Sequence, residues 1–109
     1  GEPLHLVLVS SDASFQPQQW KQKNKVVLLI NNGIHPGEPD GIDASISMVK
    51  DIINKKLPLP SNVVLAIIPV YNIGGSLNRT PFYRIDQNGP TEKGSRGNSQ
   101  NLDLNRDFI

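Results

Sequence analysis

Apolar residues fall along the chain in four blocks, and their spacing separates strands from helix. Residues 4–10 (LHLVLVS), 26–31 (VVLLIN) and 63–70 (VVLAIIPV) are short runs rich in Leu, Val and Ile, and each predicts a β-strand. The third run holds no polar residue. A strand apolar on both faces belongs at the centre of a sheet covered on both sides. Between the second and third runs the period changes. Ile42, Ile46, Val49 and Ile53 recur at three- and four-residue intervals, with Met48 and Ile52 widening the stripe, so the pattern predicts a helix over 39–55. Pro39 suits its first turn, Asp40 and Asp43 favour its positive end, Lys55 and Lys56 its negative end, and the LPLP run at 57–60 stops it.

A strand–helix–strand order predicts that the second and third strands are parallel, and the first and second are candidates for antiparallel neighbours. The fold class expected is α/β, with part of a mixed, mostly parallel sheet carrying helices. One convincing helix would leave one face of that sheet bare. That predicts missing covering chain, and self-association of the isolated fragment. Residues 11–25 are polar, with Pro17 and a Gln-rich patch around Trp20, and read as a connecting loop. Residues 71–109 carry little periodicity and many Gly, Asn and Pro, together with all the arginines of the chain: Arg79, Arg84, Arg96 and Arg106. A long aperiodic segment inside a compact domain points to function or disorder.

Composition narrows the function classes. The 109 residues amount to one domain at most, and 11 Lys and Arg against 10 Asp and Glu leave no electrostatic footprint for nucleic acid and no polybasic membrane patch. No apolar run approaches the ~20 residues of a membrane span. Without cysteine there is no disulfide, thiolate metal site or cysteine nucleophile. The chain opens Gly1-Glu2-Pro3 straight into an apolar run, with no Met and no charged leader, and reads as starting inside a longer protein.

Chemistry concentrates in two places. His35 and Glu38 form a His-x-x-Glu pair between the second strand and the helix, in a stretch whose Gly33, Pro36, Gly37 and Pro39 exclude regular structure. Imidazole nitrogen and carboxylate oxygen are zinc donors, and the carboxyl end of a strand in an open α/β sheet is where ligands gather. The spacing alone is a common accident; its position is the informative part. The second place is Asp103-Leu104-Asn105-Arg106-Asp107-Phe108, where a guanidinium fork able to grip a carboxylate stands beside a neutral amide. His5 reads as a strand histidine, Arg79 and Arg84 as solvated or paired with Asp86, and Trp20 and Tyr71 carry no assigned role.

Taken together, these two motifs resemble the zinc carboxypeptidase family (carboxypeptidase A-like metallopeptidases), with strand, His-x-x-Glu, helix, strand, Asn-containing turn, long loop and Asp-Leu-Asn-Arg in the same order. The resemblance covers most of the chain and implies a truncated, N-terminal portion (1–109) of the catalytic domain. It implies one zinc ion held by His35 and Glu38, with the third protein ligand and the general base absent from this chain. By the same resemblance Arg96, nine residues before Asn105, polarises the scissile carbonyl, while Asn105 and Arg106 hold the free C-terminal carboxylate of a peptide or peptide-like substrate. Asp103 would accept the ring N–H of His35. The Tyr71-Asn72-Ile73-Gly74-Gly75 run is similar to the family's Asn-Pro-Asp-Gly turn, with Pro and Asp replaced. The activity implied is hydrolysis of a C-terminal peptide bond, in a secreted or periplasmic setting, with the fragment inactive alone. The alternatives are a zinc deacylase of N-acyl amino acids, which shares the metal motif and the Asp-Leu-Asn-Arg segment, and a non-catalytic binding domain of the same fold.

Overall fold

The computed structural model describes residues 1–84 and 86–106. Its main sheet has three strands, β1 (Val7–Ser10), β2 (Val26–Asn31) and β3 (Val63–Ile68), in the order β1-β3-β2. β2 runs parallel to β3, from Val26↔Val63 to Asn31↔Ile68, and β1 runs antiparallel to β3, from Val7↔Ile67 to Ser10↔Val64. The sheet is therefore mixed, with one pairing of each kind. β1 neighbours β3 and not β2, so the expected pairing of the first two strands is replaced. A strand paired on both edges is screened by both neighbours, and the all-apolar run takes that place. Val64, Leu65, Ala66 and Ile67 are buried in succession. Consecutive strand residues point to opposite faces, so β3 is covered on both.

Exposure falls instead on β2. Val26, Val27, Leu28 and Leu29 are all exposed, alternating residues included. The expected bareness is thus a property of this edge strand on both faces, not of one face of the whole sheet. β3 and β1 are both shorter than the apolar runs that contain them. β3 stops at Ile68 because Pro69 offers no backbone N–H to a ladder. β1 begins only at Val7, and Leu4, His5 and Leu6 lie outside it and exposed.

The amphipathic stripe forms α2 (Asp40–Ile53), with Pro39 as its N-cap. Asn32 anchors its first half to the end of β2, its Nδ2 donating to Ser45 Oγ at 2.8 Å. The helix stands over the β1–β3 half of the sheet across an apolar groove of about 210 Å³ lined by Val7, Ile67 and Pro69 below and Ile42, Ile46 and Val49 above. Among the described residues no helix is long and apolar enough to cross a membrane. The molecule is a slab, 47 × 32 × 21 Å, with a radius of gyration of 16.1 Å. A compact chain of this length would have about 13 Å.

The polar stretch before β2 is more ordered than its composition suggests. It contains α1 (Pro17–Gln22), started by Pro17 in the first turn and by a reciprocal pair of bonds between Gln16 and Gln19. Trp20 Nε1 donates to Ser14 O at 2.8 Å. Lys25, whose side chain is 2% exposed, has its Nζ 2.8 Å from Asp12 Oδ1 and donates to Ser61 O at 2.7 Å. Lys23 reaches Asp12 Oδ2 at 3.0 Å. The hydrogen bonds of Lys25 and Lys23, then those of Ser10 and Ser14, hold the Asp12 carboxyl well below the usual carboxylate range.

Among the described residues β3 is the only strand whose apolar side chains are buried along most of its length, so stability should depend on it disproportionately. Ile67→Ala, at 2% exposure, is expected to cost about 2–4 kcal/mol, and Ile53→Ala, at 71% exposure on α2, less than about 0.5 kcal/mol. Urea unfolding of the two variants measures both.

Candidate functional site

Both chemical motifs are carried to the carboxyl end of the parallel pair by backbone bonding between the loops that leave it. Beyond Asn31 the ladder runs one step further, Asn32 N donating to Ile68 O at 3.0 Å. Tyr71 N then donates to Asn32 O at 2.8 Å, and Asn72 N to Gly33 O at 3.0 Å. Gly33 has φ +65°, and a Cβ there would lie 3.2 Å from the Val70 backbone, so both conformation and space favour glycine. The chain then turns through His35-Pro36-Gly37-Glu38, closed by Glu38 N donating to His35 O at 2.9 Å.

The aperiodic segment wraps over this turn. It contains α3 (Ile73–Leu77), a short antiparallel pair of β4 (Arg79–Thr80) with β5 (Lys93–Gly94), and a 3₁₀ turn, Leu104–Arg106. Asn72, almost fully buried, organises the first part. Its Oδ1 accepts from Gly75 N at 2.9 Å, and its Nδ2 donates to Arg96 O at 3.2 Å. Asn98 organises the last part, its Oδ1 accepting from the backbone N–H groups of Gln100 and Leu102 at 2.9 Å each. The chain thereby doubles back and sets Asp103 against His35.

The centre of the site is the Asp103 carboxylate. Oδ1 accepts from His35 Nε2 at 2.8 Å and from Asn105 N at 3.0 Å, and Oδ2 accepts from Arg96 Nε at 2.9 Å. A carboxylate only accepts, so it places the ring hydrogen of neutral His35 on Nε2 and leaves the Nδ1 lone pair free. Nδ1 faces Glu38 Oε2 at 3.7 Å, beyond hydrogen-bond distance. His35 is buried and Glu38 half-exposed. The other oxygen of Glu38, Oε1, pairs with Arg84 Nη2.

Could these donors hold a metal ion? A lone pair and a carboxylate oxygen facing each other across 3.7 Å repel unless a cation lies between them, and two donors each about 2.0–2.2 Å from a tetrahedral zinc lie roughly 3.3–3.6 Å apart. At 3.7 Å the pair lies just beyond that spacing, so a small turn of the Glu38 carboxylate would bring both donors to one ion. Among the described residues no third His, Cys, Asp or Glu joins them.

Asn105 joins His35 and Glu38 around a polar pocket of about 220 Å³, whose wall includes Asn31. The buried Oδ1 of Asn31 has no hydrogen-bond partner among the described residues. Arg106 is exposed and does not line that pocket among the described residues; its Nη1 reaches Asn105 O at 3.5 Å. Arg96 lines a neighbouring cleft with Tyr83, Arg84, Asp86 and Gln87. Arg79 donates to Glu92 O, and Arg84 engages Glu38 instead of solvent or Asp86, because its segment is docked on the His35 turn. No signal in the sequence assigned Arg84 a partner 46 positions away. The last two residues of the second motif, Asp107 and Phe108, lie outside the described residues.

Compared with known proteins, the chain matches no family model, no curated protein and no solved structure.

The Asp103 carboxyl is lowered from its ordinary 3.8 to about 2, first by the His35 hydrogen bond, against partial desolvation, and then by Asn105 N–H and Arg96. A depressed carboxyl stabilises the fold above its unfolded value, so these bonds should be intact above about pH 4 and lost as pH falls through about 2. Carbon-13 NMR titration of the Asp103 carboxyl is expected to show a midpoint near that value. His35→Gln should move the midpoint back toward 3.8 further than Arg96→Gln does.

Proposed function

We propose that the chain carries part of the active site of a zinc-dependent carboxypeptidase-type hydrolase, built on the corresponding part of a carboxypeptidase-like sheet. The observation that carries this reading is the Asp103 carboxylate on His35 Nε2, with Nδ1 turned toward Glu38 Oε2 at 3.7 Å. A carboxylate behind a metal-binding imidazole sets its tautomer and raises its basicity. His35 Nδ1 and Glu38 Oε2 would hold the ion. When bound, zinc supplies a water of pKa about 7 and polarises a carbonyl.

The remaining roles belong to side chains of the second motif and its neighbourhood. Arg96 spends Nε on Asp103, so its two Nη groups are the donors for an oxygen gaining negative charge. Asn105, on the wall of the pocket beside His35 and Glu38, would donate to the terminal carboxylate of a peptide substrate. Arg106 would supply the bidentate fork for the same group, and its exposure leaves the guanidinium free to swing. Two protein ligands are one fewer than catalytic zinc sites use, so this chain by itself should bind zinc weakly and not turn over.

Calorimetric titration with zinc tests the reading. Weak binding that is abolished by His35→Ala and by Glu38→Gln, and weakened about 10- to 100-fold by Asp103→Asn, is the expected result. Binding indifferent to His35 and Glu38, or rapid hydrolysis of a blocked dipeptide by the 109-residue chain, would count against it. The exposed apolar residues of β2 should drive concentration-dependent self-association in sedimentation velocity, reduced by Leu29→Lys.

A further inference from the structure

The two oxygens of Glu38 are divided between partners: Oε2 faces His35 Nδ1, and Oε1 pairs with Arg84 Nη2. Arg84 is held there by more than its charge. Gln87 Nε2 donates to Gly37 O at 2.8 Å, docking the Arg84 segment on the His35–Glu38 turn. A Cβ on Gly37 would lie 2.9 Å from Gly94 O, so glycine there lets β5 close on the loop, and the Arg84 side chain lies alongside at ordinary contact distance, 3.6 Å from the same point. The Arg84 side chain is only 30% exposed. Its near neighbour Asp86 lines the same cleft of about 500 Å³, yet the guanidinium is turned to Glu38.

We propose that Arg84 is a positioning residue that occupies one oxygen of Glu38, restricts this carboxylate to one-oxygen ligation, and lowers the affinity of the His35–Glu38 pair for a divalent cation. This rests on the metal reading of that pair. The physical reason is twofold. A guanidinium on Oε1 engages the lone pairs that two-oxygen chelation would need, and it places a positive charge beside an incoming ion. Asp103 pins the imidazole from the other side. Both donors are thus oriented by residues from the aperiodic segment, one acting through a negative group and the other through a positive one.

Cobalt(II) serves as the probe, because its visible absorption weakens as coordination number rises. The 109-residue chain and its Arg84→Ala, Arg84→Gln, Arg84→Lys and Glu38→Gln variants would be titrated by calorimetry and absorption. Far-UV circular dichroism would check each fold, and the near-isosteric Arg84→Gln carries the test if Arg84→Ala does not fold. Removing the guanidinium is expected to tighten binding about two- to fivefold, the worth of a partly exposed ion pair, and to lower the absorptivity per bound cobalt. Arg84→Lys should stay near the parent chain. A merely structural role for Arg84 would weaken binding or leave it unchanged, so the sign is diagnostic. Binding lost in Glu38→Gln but no tighter in Arg84→Ala or Arg84→Gln overturns the inference and leaves the metal pair standing. Cobalt binding that survives Glu38→Gln unchanged overturns the metal pair and this inference with it.

Discussion

The Asp103 carboxylate draws together the His35 turn, the Arg96 loop and the Leu104–Arg106 turn, and the arrangement of the site depends on it. It takes the ring N–H of His35 across 68 positions of sequence, the guanidinium of Arg96, and the backbone N–H of Asn105. Removing the negative charge would leave a buried imidazole without its acceptor and the Leu104–Arg106 turn without its anchor. It would also leave Arg96 without a fixed direction. An acceptor shared by three donors has a strong preference for its ionised form, which is the origin of the depressed Asp103 carboxyl.

That arrangement needs a platform, and the platform is the parallel β2–β3 pair with the two loops leaving its carboxyl end. Backbone bonds from Tyr71 and Asn72 to Asn32 and Gly33 extend the pairing past the last strand residues. The turn carrying His35 and Glu38 therefore starts from a rigid edge, and the returning segment starts from the same edge through Asn72. At the opposite end of the sheet, Asp12 gathers Lys23 and Lys25 and ties α1 to the start of β2. The apolar part of the structure is small by comparison, centred on Val64 to Ile67.

What was legible in the sequence followed from short-range regularity. Strand periodicity located β2 to the residue and β3 to within two residues at its end, and the 3.6-residue stripe located α2 to within two residues of each end. The parallel relation of β2 and β3 followed from the helix between them. His35 and Asp103 stand 68 positions apart, and the 2.8 Å hydrogen bond between them belongs to the folded chain and to no local pattern. Less legible were α1 and α3, whose stability comes from side-chain caps such as Gln16 with Gln19 and Asn72 with Gly75, not from an apolar period.

The sequence by itself determined the strands of the main sheet and α2, the absence of cysteine chemistry, and the residue types able to bind a metal and a carboxylate. These are properties of composition and of neighbours within a few positions. Tertiary structure alone decided that β1 lies beside β3, that exposure concentrates on β2, that Arg106 stays in solvent, and that Arg84 takes an oxygen of Glu38. Each of these depends on contacts between residues far apart in the chain, where many pairings satisfy the same hydrophobic and charge pattern. Only the backbone path selects one, by way of a positive-φ glycine, a buried asparagine, and a glycine with no room for a side chain.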